Sequence, residues 1–412
     1  MAMLKKIAII GSGICGAYLA NALAIKCEDD ENAEIGVCEQ SHEVYVFEKA
    51  RGLGGRSAAK RQGEISFDYG VSYFSIQDAD LKSFLIDSLF HENIELVNGK
   101  TIELDLSDKE NSGKRIIHSS SEKLFVSKPY GNSFVKVLLK DIKNIFLETK
   151  IYGVLKKDSK YKLVLENADE FDVDFDIIIS TAPAAQSAQI YSEYDDLVKS
   201  LSKVKYNPAF VLMFSFKQSV AVFSALVVSE SISKIRNADI LKIKNSIIEE
   251  IVFNHKKPLR DSSTPAFVIK ASESFTENNL EMEYAVIEEA LLNEFFSIMG
   301  FDLDSRVELD FKQLHRWLYS TPSNTVKEYA DLKPRNLDDH DIIFREYNSE
   351  RLFLKAEDEE LYALGDYVLG APSDFINDQN DFMKTDSKHI GLGGVEQSLL
   401  SAKALVQILN FS

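Results

Sequence analysis

Three glycines near the start of the chain have the types and the spacing to hold a dinucleotide. Gly11, Gly13 and Gly16 form a G-x-G-x-x-G pattern, which follows the apolar run 7–10 and precedes an Ala/Leu-rich stretch that predicts a helix from residue 14. The first glycine permits a tight turn, the second lets a pyrophosphate approach the backbone, and the third lets the helix pack on its strand. The helix N-terminus then offers N–H groups and a positive dipole end to the phosphates. A Gly-rich turn without a ligand is the alternative, but the strand before it and the helix after it favour dinucleotide binding by the whole turn, including Ser12, Ile14 and Cys15.

An acidic residue ends the second predicted strand. Residues 44–47 are apolar or aromatic, and Glu48 follows them. In dinucleotide-binding folds a carboxylate at this place accepts hydrogen bonds from the adenosine ribose, usually about 20 residues beyond the glycines. The larger separation here is explained by the acidic, aperiodic segment 27–43, which we interpret as a solvated surface insertion. A carboxylate also disfavours a 2′-phosphate, so NADP is not expected as the primary cofactor. An exposed glutamate at a strand end is the alternative.

A second glycine-rich turn follows the predicted ribose-binding strand. Residues 51–56 are Arg-Gly-Leu-Gly-Gly-Arg, and a guanidinium can pair with a pyrophosphate through two parallel hydrogen bonds. A simple nicotinamide dehydrogenase has no need of this second phosphate-facing turn. The whole run resembles the E-K-x-x-x-x-G-G-R sequence of FAD-dependent amine-oxidase-like flavoproteins, and it changes the predicted cofactor from NAD to FAD. The matching residues are Glu48, Lys49, Gly54, Gly55 and Arg56.

The next segment is similar to a narrower group, the renalase family. Residues 67–75, Phe-Asp-Tyr-Gly-Val-Ser-Tyr-Phe-Ser, resemble the family's D-x-G-A-Q-Y-F-T run, with Ser72 in place of its glutamine. The resemblance implies that Ser72 lies in the substrate pocket and that Tyr73 and Phe74 lie at the cofactor. Core packing is the alternative for both rings, and it is favoured for Phe74. Gly70, within an apolar strand, is expected to let the backbone approach a flat ring.

Two segments further along the chain also resemble this family. Residues 175–186 are similar to its D-x-V-V-L-A-x-P-A-P-Q-A run, which implies that Ala182 lies near the dinucleotide. Ile151, at the start of a predicted strand, is the candidate whose backbone holds the adenine. Residues 314–322 resemble the family's H-R-W-R-Y-A-x-P strand, whose alternate side chains face the flavin ring.

Strand alternation predicts which side chains of that last segment reach the pocket. With a period of two, His315, Trp317 and Tyr319 share one face, and Arg316 and Leu318 share the other. We therefore take the first three as pocket candidates and assign no acid or base among them. Core packing of the tryptophan and a structural hydrogen bond of the histidine are the alternatives.

The C-terminal segments complete the predicted cofactor site. Residues 361–367 form a strand that ends in Gly365 and Asp366, and the resemblance implies that this aspartate accepts a hydrogen bond from a ribityl hydroxyl. A polar stretch, 368–391, then leads to a glycine-rich turn and the last predicted helix. The amides at the start of that helix are expected to face the isoalloxazine and to stabilise the anionic reduced flavin. The residues concerned are Gly394, Val395 and Glu396. The family's V-E-G-A-x-x-S-G pattern is only partly kept, because its glycines and alanine are absent from residues 397–402.

Composition excludes several classes of protein. The 412 residues carry a net charge of −18, which argues against a nucleic-acid or anionic-membrane surface. Three cysteines, all before residue 39, fit neither a disulfide framework nor a zinc site, and suit a reducing, cytoplasmic compartment. No apolar run is long enough to cross a membrane, and the N-terminal apolar run is interpreted as the first strand and not as a signal peptide. No metal site is predicted.

These patterns predict an α/β fold: a Rossmann-like FAD-binding domain with a parallel sheet, and a second, mostly antiparallel substrate domain. The FAD-binding domain is assigned to residues 1–75, 129–195 and 355–412, and the substrate domain to residues 76–128 and 196–354. Within the latter, residues 209–216 and 221–229 predict strands and residues 279–299 a long helix.

The expected activity is that of an FAD-dependent oxidase. A hydride would pass from a small substrate to flavin N5, and O2 would reoxidise the flavin. Non-covalent FAD is expected because no cysteine follows Cys38, whereas amine oxidases with a sulfur-linked flavin use a cysteine near the C-terminal motif. The renalase resemblance implies dihydronicotinamide isomers of NADH or NADPH as substrates. An amine oxidase and a flavin-binding protein without turnover are the alternatives, and the sequence does not determine the oligomeric state.

Overall fold

The computed structural model describes residues 4–24, 26–27, 38–39, 42–87, 92–107, 115–221, 230–301, 308–323, 353–369 and 394–411. Within these ranges the strands build two large sheets and three two-stranded ones. Most of the predicted strand at 221–229, of the acidic segment 27–43 and of the polar stretch 368–391 lies outside the described residues.

In chain order the strands are β1 (Lys6–Ile10), β2 (Lys26–Cys27), β3 (Cys38–Glu39), β4 (Glu43–Phe47), β5 (Ala59–Gln62), β6 (Ile65–Asp68), β7 (Ile94–Asp105), β8 (Arg115–Ser127), β9 (Asn144–Phe146), β10 (Ile151–Lys157), β11 (Lys160–Leu165), β12 (Ile177–Ser180), β13 (Tyr206–Phe216), β14 (Ile240–Lys244), β15 (Ile248–Phe253), β16 (Ala266–Ala271), β17 (Leu309–Pro322), β18 (Leu354–Lys355) and β19 (Leu361–Ala363). The helices are α1 (Ile14–Ala24), α2 (Ala79–Asp87), α3 (Ser133–Leu138), α4 (Ala184–Ile190), α5 (Asp195–Leu201), α6 (Glu230–Arg236), α7 (Glu273–Asn278), α8 (Tyr284–Met299), α9 (Asp366–Leu369) and α10 (Val395–Phe411), with 3-10 turns at Gly55–Ser57 and Asn254–Lys256.

The first sheet is that of a Rossmann-like fold, as predicted. Its order is β18-β19-β12-β1-β4-β9, and every neighbouring pair is parallel except β18–β19. The register places Ile9 between Ile179 and Val46, and all three side chains are fully buried. Strands that are apolar on both sides need cover on both faces, which is the normal state of a parallel sheet.

Helices from both ends of the chain cover one face of this sheet. Leu19 of α1 and Leu405 of α10 belong to the same buried cluster as Ile7 and Ile9 of β1. The opposite face is covered by α4, α5 and the β10–β11 hairpin, where Tyr191 is fully buried. The last helix therefore returns to the first strand, and the two ends of the chain share one hydrophobic core.

The second sheet has the order β17-β13-β16-β15-β14-β7-β8. All its pairs are antiparallel except β14–β7, which agrees with the predicted, mostly antiparallel layer. Because side chains alternate along a strand, β13 sends Phe210 and Phe214 towards α8, and Val211 and Met213 towards β6. The second sheet thus has one face on its own helix and one face towards β6.

Candidate active site

One cavity of about 520 Å³ lies at the carboxyl ends of the parallel strands, where it also meets β17 of the second sheet. Ligands of open α/β sheets bind at this edge, and the volume falls within the usual range for cofactor pockets. The chain supplies the wall from both termini and from the middle. The residues of the predicted site that line the cavity are Gly11, Gly13, Ile14, Cys15, Glu48, Lys49, Gly54, Gly55, Arg56, Ile151, Ala182, Trp317, Tyr319, Gly365, Asp366, Gly394 and Val395.

The first glycine turn connects β1 to α1 and forms one end of the cavity. Gly11 has φ +107° and donates its N–H to the carbonyl of Phe47 at 2.8 Å. A Cβ on Gly16 would lie 2.0 Å from the carbonyl oxygen of Gly11, so the helix can pack on the turn only with glycine there. A Cβ on Gly13 would meet no heavy atom within 4 Å, because that side faces the cavity.

The carboxylate of Glu48 is fixed at the edge of this turn. Its Oε2 accepts hydrogen bonds from the N–H and the hydroxyl of Ser12, at 3.1 and 2.7 Å, and its Oε1 accepts one from the N–H of Ala50 at 2.8 Å. The side chain is 7% exposed and lines the cavity. An ionised carboxylate has further lone pairs, so Glu48 is a preoriented acceptor for ligand hydroxyls. Ser12 is not in the cavity wall, and it acts by orienting Glu48.

The second glycine turn packs directly on the first. The N–H of Gly54 donates to the carbonyl of Ser12 at 3.1 Å. Gly54 has φ +127°, and a Cβ there would lie 2.8 Å from the Cβ of Asn132; on Gly55 it would lie 3.2 Å from the Cα of Gly13. Glycine at position 54 therefore allows close packing on Asn132, and glycine at position 55 allows the two turns to approach each other.

Arg56 binds a carboxylate of the protein. Its Nη1 and Nη2 donate to Oδ2 and Oδ1 of Asp366 at 2.6 and 2.7 Å, a two-pronged pair in which Asp366 is 2% exposed. Burial alone would lower the pKa of Arg56, but the charge and hydrogen bonds of Asp366 raise it above its usual value. The sequence assigned Arg56 to a pyrophosphate and Asp366 to a ribityl hydroxyl. In the structure the guanidinium of Arg56 and the carboxylate of Asp366 pair with each other, because both are buried at the same place and each buried charge needs a partner.

The same ion pair ties distant parts of the chain together. Arg56 Nη1 also donates to the carbonyl of Ser320 in β17 at 3.0 Å, and the N–H of Gly394, before α10, donates to Asp366 Oδ2 at 3.3 Å. The second glycine turn, the second sheet and the last helix therefore meet at one charged group.

Sequence reasoning missed much of the wall beside Ile151. Thr149, Lys150 and Tyr152 line the cavity next to it, and so does Gln186 of α4, which accepts a hydrogen bond from Lys49 Nζ at 3.0 Å. Lys150 Nζ lies 4.1 Å from the centre of the Tyr152 ring. Their adjacency to Ile151 was the available signal, but which of them turn inwards depends on the irregular pairing of β10 at its first residues.

The alternation predicted for β17 is wrong at the cavity. Arg316 and Leu318 line it together with Trp317 and Tyr319, although strand geometry should send alternate side chains to opposite faces. Two features explain this. β17 is the edge strand of its sheet, and its pairing with β13 is irregular after Trp317, so the strand presents its edge to the cavity.

Two aromatic residues pack behind Trp317 of this wall. The ring of Tyr69 lies 5.5 Å from that of Trp317 and 4.9 Å from that of His315, and Trp317 Nε1 donates to the carbonyl of Tyr69 at 3.1 Å. His315 is half-buried and does not line the cavity, unlike its predicted neighbours. Burial lowers the pKa of His315, so its imidazole is neutral at pH 7.

The 67–75 segment contributes less to the cavity than the resemblance implies. Ser72 is buried and donates to the carbonyl of Asp68 at 2.9 Å, Tyr73 packs under Lys257 Nζ, and Phe74 stacks on Phe125. None of the three lines the cavity, and for Phe74 the favoured core role agrees with its position. Their places are set by packing against the second sheet, including its strand β8, which the local sequence does not show.

Two other residues have a role different from the predicted one. A Cβ on Gly70 would lie 1.8 Å from the carbonyl oxygen of Arg56, so this glycine accommodates the protein backbone and not a flat ligand ring. Glu396 accepts the N–H groups of Gln77 and Asp78, at 2.6 and 2.8 Å, and lies outside the cavity wall. It joins α10 to the segment before α2.

Among the described residues, no group of His, Cys, Asp or Glu side chains is placed to hold a metal ion. In the same part of the chain no helix is both long and apolar enough to cross a bilayer.

Comparison with known proteins bears on the fold. Residues 9–87 match a family model described as an NAD(P)-binding Rossmann-like domain, a stretch that contains both glycine turns. The whole chain is similar to a putative protoporphyrinogen oxidase from Exiguobacterium sp. 255-15, with a TM-score of 0.66 and 12% identity over 99% of both chains.

Two further solved structures are similar over their full length. An oxidoreductase from Methanosarcina mazei gives a TM-score of 0.60 at 13% identity, covering 98% of this chain and 100% of that one. A putrescine oxidase bound to putrescine gives 0.61 at 8% identity, covering 100% of both. At such identities the similarity establishes a shared fold.

Proposed function

We propose that this chain is an FAD-dependent oxidoreductase. The observation that carries the proposal is that one cavity is lined by the two glycine turns, Glu48, the edge of β17 and the start of α10. These segments are spread over nearly the whole chain. An elongated dinucleotide is the kind of ligand that needs such a wall, because its two ends differ in chemistry and lie far apart.

The residues present fit FAD. The open side of Gly13 and the first-turn amides of α1, which have no intrahelical acceptor, suit a pyrophosphate. Glu48, fixed by Ser12 and Ala50, suits the ribose hydroxyls. Cys15 also lines the cavity, and burial raises the pKa of its thiol, so it stays protonated and supports non-covalent binding.

At this cavity FAD would supply hydride acceptance at N5, with dioxygen as the reoxidant. The chain's own contribution is orientation and electrostatics. Gly394 and Val395 place the N-terminus of the 17-residue helix α10 in the wall, where the positive end of its dipole favours negative charge. Trp317 and Tyr319 offer aromatic surfaces, and the neutral His315 supports Trp317 from behind.

For the substrate we propose a dihydronicotinamide isomer of NADH or NADPH, as in renalases. The proposal is supported by the family-like segments and by an aromatic wall that suits a flat, uncharged ring. Hydride transfer from such a ring needs no base. The putrescine oxidase shares the fold, so an amine substrate is the second candidate.

Anaerobic mixing tests this proposal. Protein loaded with FAD is mixed with a mixture of dihydronicotinamide isomers, with NADH alone, and separately with putrescine, while absorbance near the flavin maximum is followed. We expect rapid bleaching with the isomer mixture and recovery when O2 is admitted, with release of hydrogen peroxide. Bleaching with putrescine alone would replace the proposed substrate by an amine. Protein that stays colourless after incubation with FAD would end the proposal altogether.

A further inference from the structure

The described wall of the cavity reaches the protein surface along the edge strand β17. Leu318 lines the cavity, yet it is 53% exposed. Arg316, two residues earlier, also lines the cavity and is partly exposed. A ligand seated against this strand can therefore extend out of the cavity past these two side chains. Arg316 is also the one charged residue that the second sheet contributes to the described wall.

One contact holds the guanidinium of Arg316 in place. Its Nη1 donates to the carbonyl of Leu280, in the segment between α7 and α8, at 2.9 Å. Within the part of the chain that the structure describes, its other N–H groups have no acceptor and it forms no ion pair. A guanidinium has five N–H donors in a flat fork, so Arg316 keeps most of its donors for a ligand.

Arg316 lies away from the part of the cavity that suits the pyrophosphate of FAD. The second glycine turn meets β17 at Ser320, whose carbonyl accepts a hydrogen bond from Arg56. Arg316 is four residues before Ser320, which is roughly 13 Å along an extended strand. Its partner in β13 is Phe210, on the face of the second sheet that packs on α8. A group bound by Arg316 would therefore belong to a second ligand and not to the pyrophosphate of the cofactor.

The other charged side chains of the described wall are paired or lie at the glycine-turn end. Arg56 and Asp366 pair with each other. Glu48, Lys49 and Lys150 lie close together, since the charges of the first and the last both act on Lys49. The second-sheet end of the described wall thus carries one positive charge that none of its other groups balances. This charge attracts an anionic group of a ligand and repels the ammonium groups of a diamine.

We infer that Arg316 binds the phosphate that a dihydronicotinamide nucleotide carries on its nicotinamide ribose. This inference rests on the proposed function and narrows the substrate to a phosphorylated one. A flat guanidinium fits a phosphate through two parallel hydrogen bonds. One ribose separates the nicotinamide ring from this phosphate, and Trp317, which offers the ring an aromatic surface, is adjacent to Arg316 in β17. Arg316 acts here as a specificity-determining residue, and no bond is made or broken at it.

The test compares two substrates that differ only in this phosphate. Dihydronicotinamide mononucleotide carries it and dihydronicotinamide riboside lacks it, and each is prepared as the same mixture of ring isomers. Each is mixed anaerobically with the FAD-loaded protein at several concentrations, and the bleaching of the flavin gives an apparent Kd and a limiting rate. We expect a roughly tenfold lower Kd for the mononucleotide, the usual effect of a hydrogen bond to a charged group. The limiting rates should be similar, because the reacting ring is the same.

Substitutions assign that preference to its residue. Arg316→Gln keeps an N–H donor for the carbonyl of Leu280 but removes the charge, so it should raise the Kd of the mononucleotide until the ratio is about one. Arg316→Lys keeps the charge without the fork and should retain part of the preference. Lys312→Gln is the matched control, because it removes a positive charge from the same strand, where Lys312 pairs with Glu288 outside the cavity wall. It should leave the ratio unchanged, and all three variants should bind FAD as the unmodified protein does.

Each result has a defined consequence. A ratio near one in the unmodified protein overturns the subsite, and so does a ratio in Arg316→Gln equal to that of the unmodified protein. If that variant does not fold, an undiminished ratio in Arg316→Lys overturns it. Weaker FAD binding with an unchanged ratio would assign Arg316 to the cofactor instead. Should both compounds bleach the flavin with a ratio that ignores Arg316, only the subsite is lost. Should neither bleach it, the subsite and the proposed substrate are lost together.

Discussion

The two ends of the cavity are built in different ways. At the glycine-turn end, residues 10–16 and 47–49, the contacts come mainly from the backbone, as where Gly11 N–H donates to Phe47 and Ser12 N–H donates to Glu48. At the second-sheet end, residues 316–319, side chains from distant segments meet. Trp317 Nε1, for example, donates to the carbonyl of Tyr69, 248 residues away in sequence.

This difference indicates which end of the cavity must keep its residues and which end can change them. A backbone cradle needs only a strand, glycines and one carboxylate, so it suits a cofactor whose phosphates and ribose are always the same. A wall made of side chains can change without disturbing the backbone of the glycine turns. We therefore expect the glycine-turn end to determine the cofactor and the second-sheet end to determine the substrate, with Arg56 and Asp366 joining the two.

Removing that junction should have the largest effect. Arg56→Met leaves Asp366 buried without its partner, so the free energy of unfolding should fall by about 4 kcal/mol, as for other broken buried pairs. Denaturation by urea in the apo form measures it. Lys217→Met, which breaks the exposed pair with Glu308, is the control and should cost little. Equal losses in the two variants would show that Arg56 does not join the two ends.

The second sheet should also carry a pH-dependent stability cost, at Glu250 of β15. Burial raises the pKa of Glu250 from its ordinary value of 4.5 to about 7 in the folded chain. Between these values the folded state binds more protons than the unfolded state, so the stability contributed by this group falls as pH rises. Glu250→Gln removes the cost: relative to the unmodified protein its unfolding free energy should be unchanged at pH 4 and higher by up to about 3 kcal/mol at pH 8. A difference that does not depend on pH would contradict this.

Two glycines sharpen the comparison within the cradle itself. Gly16→Ala places a Cβ against the carbonyl of Gly11, so we expect a loss of about 2 kcal/mol in apo stability together with loss of FAD binding. Gly13→Ala meets no protein atom, so it should keep apo stability and weaken only FAD binding. Thermal unfolding and FAD titration of both variants separate the two effects, and similar apo stabilities would refute the packing role of Gly16.

The smallest effect should come from the support of Glu48. Ser12→Ala removes the hydroxyl donor but keeps the Ser12 N–H bond to the same oxygen, so FAD binding should weaken by about 1 kcal/mol. Fluorescence titration of the apo protein with FAD measures this. The fold should be unaffected. A loss of thermal stability as large as that of Gly16→Ala would mean that the Ser12 hydroxyl stabilises the glycine turn itself and does not act mainly by orienting the Glu48 carboxylate.

Several predictions from sequence succeeded because the determining contacts are local. The strand, glycine turn and helix of residues 6–24 are such a case, because Gly16 packs against Gly11, which lies only a few residues earlier in the sequence. The predictions for Gly70 and for β17 failed because their determining contacts are distant. Gly70 faces the carbonyl of Arg56, and the irregular pairing of β17 depends on its partner strand β13.

By itself, the sequence determined the Rossmann-like layer, the antiparallel second layer and about half of the residues that line the cavity, because period, glycine spacing and strand ends are local properties of the chain. Only the tertiary structure decided that Arg56 pairs with Asp366, that Ser72 and Tyr73 lie behind the wall, and that Arg316 donates to the carbonyl of Leu280. These contacts join charged groups and rings from separate elements. The local sequence does not determine which partner a side chain contacts when the two side chains are buried together.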